Sequence, residues 1–184
     1  MPYFEKISGE RIYLSPINPD DAETYVKWLN DIEVTRWLLT TSSVISLPAE
    51  HAWIEENTQK QDNYQFAIVL RSENRLLGSI GYNSVSLLSR KATCGLFIGE
   101  AKDRNRGYGT EALGLLVDYG FKWLGLRNID LHVDCENARA IACYKKVGFR
   151  EYGRRTGVIL SEGQWHDCVC MEILAENWMD SAKK

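Results

Sequence analysis

The chain has no long run of Lys and Arg. Its 184 residues carry 22 basic against 25 acidic side chains, a formal net charge of -3, with a pI near 5.7. A nucleic-acid surface needs clustered positive charge, so general nucleic-acid binding is excluded. No apolar stretch approaches the ~18 residues of a membrane-spanning helix, and no membrane partner is expected. The opening Met1-Pro2-Tyr3-Phe4-Glu5-Lys6 lacks the basic and apolar regions of a signal peptide, so the expected address is cytoplasmic. Cysteine is scarce and odd in number, with Cys94, Cys135, Cys143, Cys168 and Cys170 and no CxxC spacing. His51, His132 and His166 are scattered, whereas a zinc site usually needs four ligands at recognisable spacing. We therefore expect reduced packing cysteines and no metal. Repeats, low-complexity tracts and Pro/Gly/Ser linkers are also missing, which implies one domain over residues 1–184, loose from about Asp180 onward.

What is present suits an ordinary globular protein: 45% apolar, 26% charged and 11% aromatic residues. The length is enough to bury a substantial core, and the aromatic content argues against disorder. Arg11 to Leu14 reads as a strand. Pro19-Asp20-Asp21 opens a helix with Ala22, Tyr25, Val26, Trp28 and Leu29 on its apolar stripe. Ile32 to Leu39 reads as a second short helical element. Pro48-Ala49-Glu50 opens a third helix to about Gln59, with Trp53 and Ile54 inward. Strands are expected at Phe66–Leu70, Leu76–Tyr82 and Ala92–Gly99. Thr110 to Leu124 carries a helical stripe of Leu113, Leu116, Val117, Phe121 and Leu124. Ile129, Leu131 and Val133 alternate with Asp130, His132 and Asp134 as in a strand. Ala138 to Lys146 reads as a helix stopped by Gly148. A hairpin around Ser161-Glu162-Gly163 closes the chain. The class is α+β, a central sheet with helices on both faces.

The most informative segment is Arg104-Asn105-Arg106-Gly107-Tyr108-Gly109-Thr110. It follows a strand and opens a helix. Alternate glycines tolerate positive φ and let backbone approach a ligand closely. Free N–H groups at a helix start bind anions, and the two arginines add phosphate-shaped donors. The segment reads as a pyrophosphate cradle; the plain alternative is a tight strand-to-helix turn. Gly107 to Ala112 also satisfies the dinucleotide fingerprint GxGxxA, with acidic Asp130 about 20 residues on. That reading wants the turn early in a run of βαβ units, and here about 100 residues of mixed structure precede it.

Arg104-x-x-Gly107-x-Gly109 resembles the pyrophosphate loop of the GNAT N-acetyltransferases. Downstream, Asn137, Ala140, Tyr144, Lys146, Gly148 and Phe149 resemble the N-x-x-A-x-x-x-Y-x-K-x-G-F helix of that family, in register with the loop. Glu10-Arg11-Ile12-Tyr13-Leu14, Trp28 to Asp31 and Gly163 to Asp167 with Met171 to Leu174 resemble the branch holding ribosomal-protein N-terminal, spermidine or diamine, and amino-sugar or antibiotic acetyltransferases. The resemblance spans roughly residues 8 to 178. It implies a three-layer fold with a mixed, mostly antiparallel sheet, acetyl-CoA as cosubstrate, and a monomer or homodimer. One departure is the stretch Ala92 to Leu96, where some members carry a base glutamate and this chain has no carboxylate.

The resemblance implies that the backbone of Phe97, Ile98 and Gly99 pairs with pantetheine. Arg104, Asn105, Arg106, Gly107, Tyr108, Gly109 and Thr110 would hold the phosphates, and Asn137, Ala140, Tyr144 and Lys146 would line the other side. Tyr144 is the implied acid for the leaving thiolate; from periodicity alone it reads as a core tyrosine. The acceptor is a small-molecule or peptide amine, whose ammonium must lose a proton. Asp31, Glu33, His132, His166 and Glu100 are candidate bases. Adjacent His166 and Asp167 face opposite sides of a strand, so they are not expected to pair directly. Asp31, Glu33, Trp37, Tyr82 and Trp165 are expected to line the acceptor pocket, and the competing reading has the tryptophans in the core and the acids facing water. Three other functions compete: acetylation of protein N-termini, acyl-CoA binding without catalysis, and a nucleotide-dependent oxidoreductase.

Overall fold

Alternating apolar residues build the strands, and the computed structural model of the protein describes residues 3–38, 42–60 and 62–181, with side chains through residue 178. Eight strands form one mostly antiparallel sheet in the order β1-β2-β3-β4-β5-β6-β8-β7. They are β1 (Ile7–Ser8), β2 (Ile12–Pro16), β3 (Gln65–Leu70), β4 (Arg75–Ser86), β5 (Lys91–Ile98), β6 (Asn128–Asp134), β7 (Arg150–Ser161) and β8 (Gln164–Leu174). The helices are α1 (Ala22–Leu29), α2 (Ile32–Thr35), α3 (Leu47–Gln59), α4 (Tyr108–Lys122), α5 (Ala138–Val147) and α6 (Ala175–Ser181). The α+β class and the mixed sheet agree with expectation. Among the described residues no helix is long and apolar enough to cross a membrane.

Packing divides the chain into two compact units where the sequence suggests one domain: Met1–Gly81 with Leu96–Leu115, and Tyr82–Gly95 with Leu116–Lys184. In the first unit β2 pairs antiparallel with β1 and β3, and β3 with β4. Its core joins Tyr13, Ala22, Tyr25, Trp28, Val34, Ile54 and Val69. Helix α1 buries Ala22, Tyr25 and Trp28, the stripe that its i, i+3, i+6 spacing sets. Helix α3 starts where Ser46 caps Ala49 N–H. It buries Glu50 and Ile54, and Trp53 is 41% exposed. The expectation that Trp53 points inward is therefore corrected, because one residue before Ile54 is about 100° around the helix. Leu39, the expected end of the second element, and the last three residues of the chain lie outside the described residues.

In the second unit β6 pairs antiparallel with β8, and β8 with β7. The β5–β6 pair is parallel over Lys91–Thr93 against Asn128–Asp130 and stops there, although β6 continues to Asp134. Helix α5 starts where Asn137 accepts the Ala140 N–H, and it ends at Gly148 with φ 113°, a left-handed stop that glycine adopts without strain. The structure adds β1 and α6 to the expected elements, extends the Leu76–Tyr82 strand to Ser86, and starts α4 at Tyr108 rather than Thr110.

Ile54→Ala should destabilise the protein by about 2–5 kcal/mol, and Trp53→Ala by less than about 1 kcal/mol. Urea unfolding with a shared m-value checks both.

Candidate functional site

In the first unit, β5 ends in a turn whose geometry is set by arginines. Buried Asp103 is gripped by Arg75 at 2.7 and 3.1 Å. The next residue, Arg104, donates from Nε to the Ile98 carbonyl (3.1 Å), from Nη2 to the Gly99 carbonyl (2.6 Å) and from Nη1 to the Glu33 carbonyl (3.3 Å). The expectation that its side chain serves a phosphate is corrected. Its donors close the strand end onto the backbone of α2.

The loop then turns through Asn105 at φ 60° and Gly107 at φ 82°. Positive φ at Gly107 costs no Cβ clash, and it turns the chain into the first turn of α4. The Tyr108, Gly109 and Thr110 amides lie in that first turn, where helix geometry supplies no carbonyl four residues back. Tyr108, Gly109 and Thr110 are half-buried, and Asn105 and Arg106 are exposed.

The loop is clamped from strand β2 by Arg11. Its Nη1 donates to the Arg106 carbonyl at 2.8 Å, and its Nε meets Glu111 Oε2 at 2.9 Å. The Arg11 N–H reaches Glu111 Oε1 at 2.8 Å, and the guanidinium lies 5.1 Å from the Tyr108 ring centroid. Sequence reading gives Arg11 only as part of a strand motif. Its partners are 95 and 100 residues away, beyond any local pattern.

The strand end is crowded. Phe97 packs edge-on against Tyr25 and Trp28, with centroids 6.4 and 6.2 Å apart. A Cβ on Gly99 would come within 2.1 Å of the Trp28 indole. Gly99 N–H already donates to the Leu77 carbonyl at 2.9 Å, and the Ile98 and Gly99 carbonyls take Arg104. The Gly99 N–H and the Ile98 and Gly99 carbonyls are thus engaged within the protein. Glu100 accepts Trp28 Nε1 and Lys27 Nζ, each at 3.0 Å. Those bonds, the Trp28 one first, hold its carboxyl below the usual range, so Glu100 is a poor base.

The acceptor candidates of this unit cluster around α2. Asp31 caps it, accepting the Glu33 N–H at 2.9 Å. Exposed Glu33 lies 3.5 Å from Arg36. Half-buried Trp37 carries the Arg36 guanidinium 5.2 Å above its ring. The Arg104 bond to the Glu33 carbonyl ties this cluster to the strand end.

In the second unit, Asn137 spends its Oδ1 as the cap of α5, at 3.1 Å from Ala140 N. Ala140 is half-buried and Lys146 exposed. The Tyr144 ring is tilted against Phe149 at 6.2 Å. Its hydroxyl has no hydrogen bond among the described residues. Burial, helped by the nearby Cys94 and Cys143 thiols, pushes it well above the usual tyrosine range. Tyr82 is 5% exposed and donates its hydroxyl to the Leu116 carbonyl at 2.7 Å, so it is a core residue and not a pocket wall. Trp165 is 66% exposed on the closing hairpin. His132 is exposed. As strand alternation predicts, His166 does not pair with Asp167: its Nδ1 lies 2.9 Å from Asp134 Oδ2, and the Asp167 carboxylate accepts the Gly157 N–H at 3.0 Å. Among the described residues no group of three or more His, Cys, Asp or Glu could hold a metal ion.

Residues 11–150 match the family described as "Acetyltransferase (GNAT) domain". An N-acetyltransferase 9-like protein of Caenorhabditis briggsae is 30% identical over 155 residues, covering 79% of this chain and 77% of that protein. The spermidine N(1)-acetyltransferase of Vibrio cholerae is 25% identical over 128 residues, 69% of this chain and 73% of its own length. The solved structure of spermidine N-acetyltransferase from Vibrio cholerae in complex with CoA and spermine superposes with a TM-score of 0.83 at 20% identity, covering 92% of this chain and 98% of that one.

Arg11→Ala should loosen the loop without unfolding the protein. The expected cost is about 1 kcal/mol in urea unfolding, since the ion pair is partly exposed. CoA affinity measured by calorimetry should fall about tenfold, the equivalent of ~1.4 kcal/mol of lost preorganisation.

Proposed function

The chain belongs to the GNAT acetyltransferases, and from that premise we propose that it transfers the acetyl group of acetyl-CoA directly to the primary amine of a small molecule, such as a polyamine or an amino sugar, in the cytoplasm. The observation that carries the reading is the clamped loop, with a left-handed glycine leading the chain into the first turn of α4. An array of N–H groups at the positive end of a helix suits a pyrophosphate. Arg106, exposed beside it, supplies charge, while Arg104 and Arg11 hold the backbone.

Each step has a physical requirement. The acetyl carbonyl must be polarised by a preorganised donor as the tetrahedral intermediate forms. The departing thiolate must gain a proton, and Tyr144 has the properties of its donor. Its hydroxyl is pushed well above the usual tyrosine range by desolvation and stays protonated at neutral pH. The acidic and aromatic cluster of Asp31, Glu33 and Trp37 favours a cationic acceptor. Arg36 over Trp37 already shows that this ring takes a cation on its face.

The test is thiol release from acetyl-CoA with spermidine, an aminoglycoside, free amino acids and short peptides beginning with Ala, Ser or Met. Turnover on a polyamine or amino sugar is the expected result. Turnover on peptides alone would replace the small-molecule acceptor with a protein N-terminus. Tyr144→Phe should lower kcat about 100-fold with little change in CoA affinity. An unchanged kcat would remove Tyr144 as the acid.

A further inference from the structure

We propose that the second unit carries a binding site for a small zwitterion of the α-amino-acid class. The site is a cavity of about 230 Å³ lined by Ser89, Arg127, Asn128, Leu174, Ala175 and Glu176. These residues come from the β4–β5 turn, the start of β6 and the junction of β8 with α6. All six belong to the second compact unit, and none serves the acetyl-transfer reading above. At ~30 Å³ for each water in the liquid, the cavity has the volume of about eight waters. That is room for a small amino acid and too little for a nucleotide.

The backbone around the cavity is fixed by long-range bonds. The Arg127 N–H donates to the Arg90 carbonyl at 2.6 Å, and the Asn128 N–H reaches the same oxygen at 3.3 Å. The Ala175 N–H donates to the Arg127 carbonyl at 3.0 Å, which joins the start of α6 to the start of β6. Strand register sets Asn128 beside Lys91 on β5 and Leu174 on β8. Helix α6 is tied to α4 by Trp178, whose Nε1 donates to Asp118 Oδ1 at 3.1 Å.

The cavity carries charge of both signs. Arg127 and Glu176 line it together, yet among the described residues neither side chain makes a hydrogen bond or an ion pair, with the other or with a neighbour. Ser89, Arg127 and Glu176 are exposed, whereas Asn128, Leu174 and Ala175 are half-buried. The Asn128 amide is oriented by Glu172, with Nδ2 donating to Oε2 at 2.6 Å. The nitrogen of that amide is therefore spent on Glu172, and its oxygen remains an acceptor.

These groups sort by the charge they recognise. A guanidinium fork suits a carboxylate, and the Ser89 hydroxyl adds a donor. The Glu176 carboxylate and the Asn128 amide oxygen accept from an ammonium. A bare anion on Arg127 would be repelled by Glu176, and a bare amine on Glu176 would be repelled by Arg127. A molecule that bears both charges satisfies both walls. Leu174 and Ala175 offer apolar contact to a short side chain. Water competes at exposed charges, so binding is weak, with an expected Kd of about 1 mM.

The test is a titration of the isotope-labelled full chain with L-serine, in the absence of CoA, read by amide NMR shifts. N-acetyl-L-serine lacks the ammonium, L-serine methyl ester lacks the carboxylate, and inorganic phosphate probes for a bare-anion site. Expected are saturable shifts at Ser89, Arg127, Asn128, Ala175 and Glu176. The two derivatives and phosphate should bind about fivefold more weakly than L-serine. Arg127→Gln and Glu176→Gln should each weaken L-serine about fivefold as well, with the rest of the spectrum unchanged. Shifts that stay linear well beyond the expected Kd overturn the site, and so does unchanged affinity in both variants. A derivative or phosphate that matches L-serine overturns the zwitterion class. Saturable shifts confined to Tyr108–Thr110 or α2 assign L-serine to the acetyl-transfer site and overturn the proposal. None of these outcomes bears on acetyl transfer itself, which the thiol-release assay tests.

Discussion

The start of α4 depends on the Arg11 clamp. A helix N-terminus binds an anion only if its first amides stay unpaired, so the loop before it cannot stabilise itself by bonding those amides. The holding force must come from outside the loop and fall on its carbonyls. Arg11 supplies it from β2, bonding the Arg106 carbonyl and Glu111 together. Arg104 does the same for the Ile98, Gly99 and Glu33 carbonyls. A planar fork with five donors can reach several oxygens at once, which the single ammonium of lysine cannot do in a fixed geometry. Partly exposed pairs of this kind add little stability. Their effect is on shape: they fix where the first turn of α4 points.

Local pattern was enough to find the elements that carry the site. The period of apolar residues locates α4, the alternation of Ile129, Leu131 and Val133 locates β6, and Asn137 with Gly148 bounds α5 by cap chemistry. Two-residue β1 and the Ala175–Ser181 helix carry too little periodicity to be seen. Side-chain roles were less legible because they depend on pairs far apart in the chain. Arg104 reads as a phosphate ligand until its carbonyl partners are seen. Tyr82 reads as a pocket wall until its hydroxyl is found on Leu116. Trp53 and Trp165 illustrate a different failure: an aromatic residue announces large area, and only the neighbouring elements decide whether that area is covered.

His166 shows the same distinction in one residue. Strand alternation correctly separates it from the adjacent Asp167. The partner it does have is 32 residues earlier, on β6, and only the antiparallel β6–β8 register brings the two together. A carboxylate beside a histidine in sequence is thus the less informative one. The buried aspartate on the facing strand sets the tautomer.

Ala92 to Leu96 carries no carboxylate, and the acids nearest the end of β5 are occupied. Glu100 is neutralised by Lys27 and the Trp28 indole, and Asp103 is buried against Arg75 with its side chain 4% exposed. The Trp28 and Lys27 bonds stabilise the charged form of Glu100, which makes it a weaker proton acceptor. Both residues hold the turn. Under the proposed function the proton for the leaving thiolate comes from Tyr144, whose hydroxyl is pushed up by burial and so stays protonated.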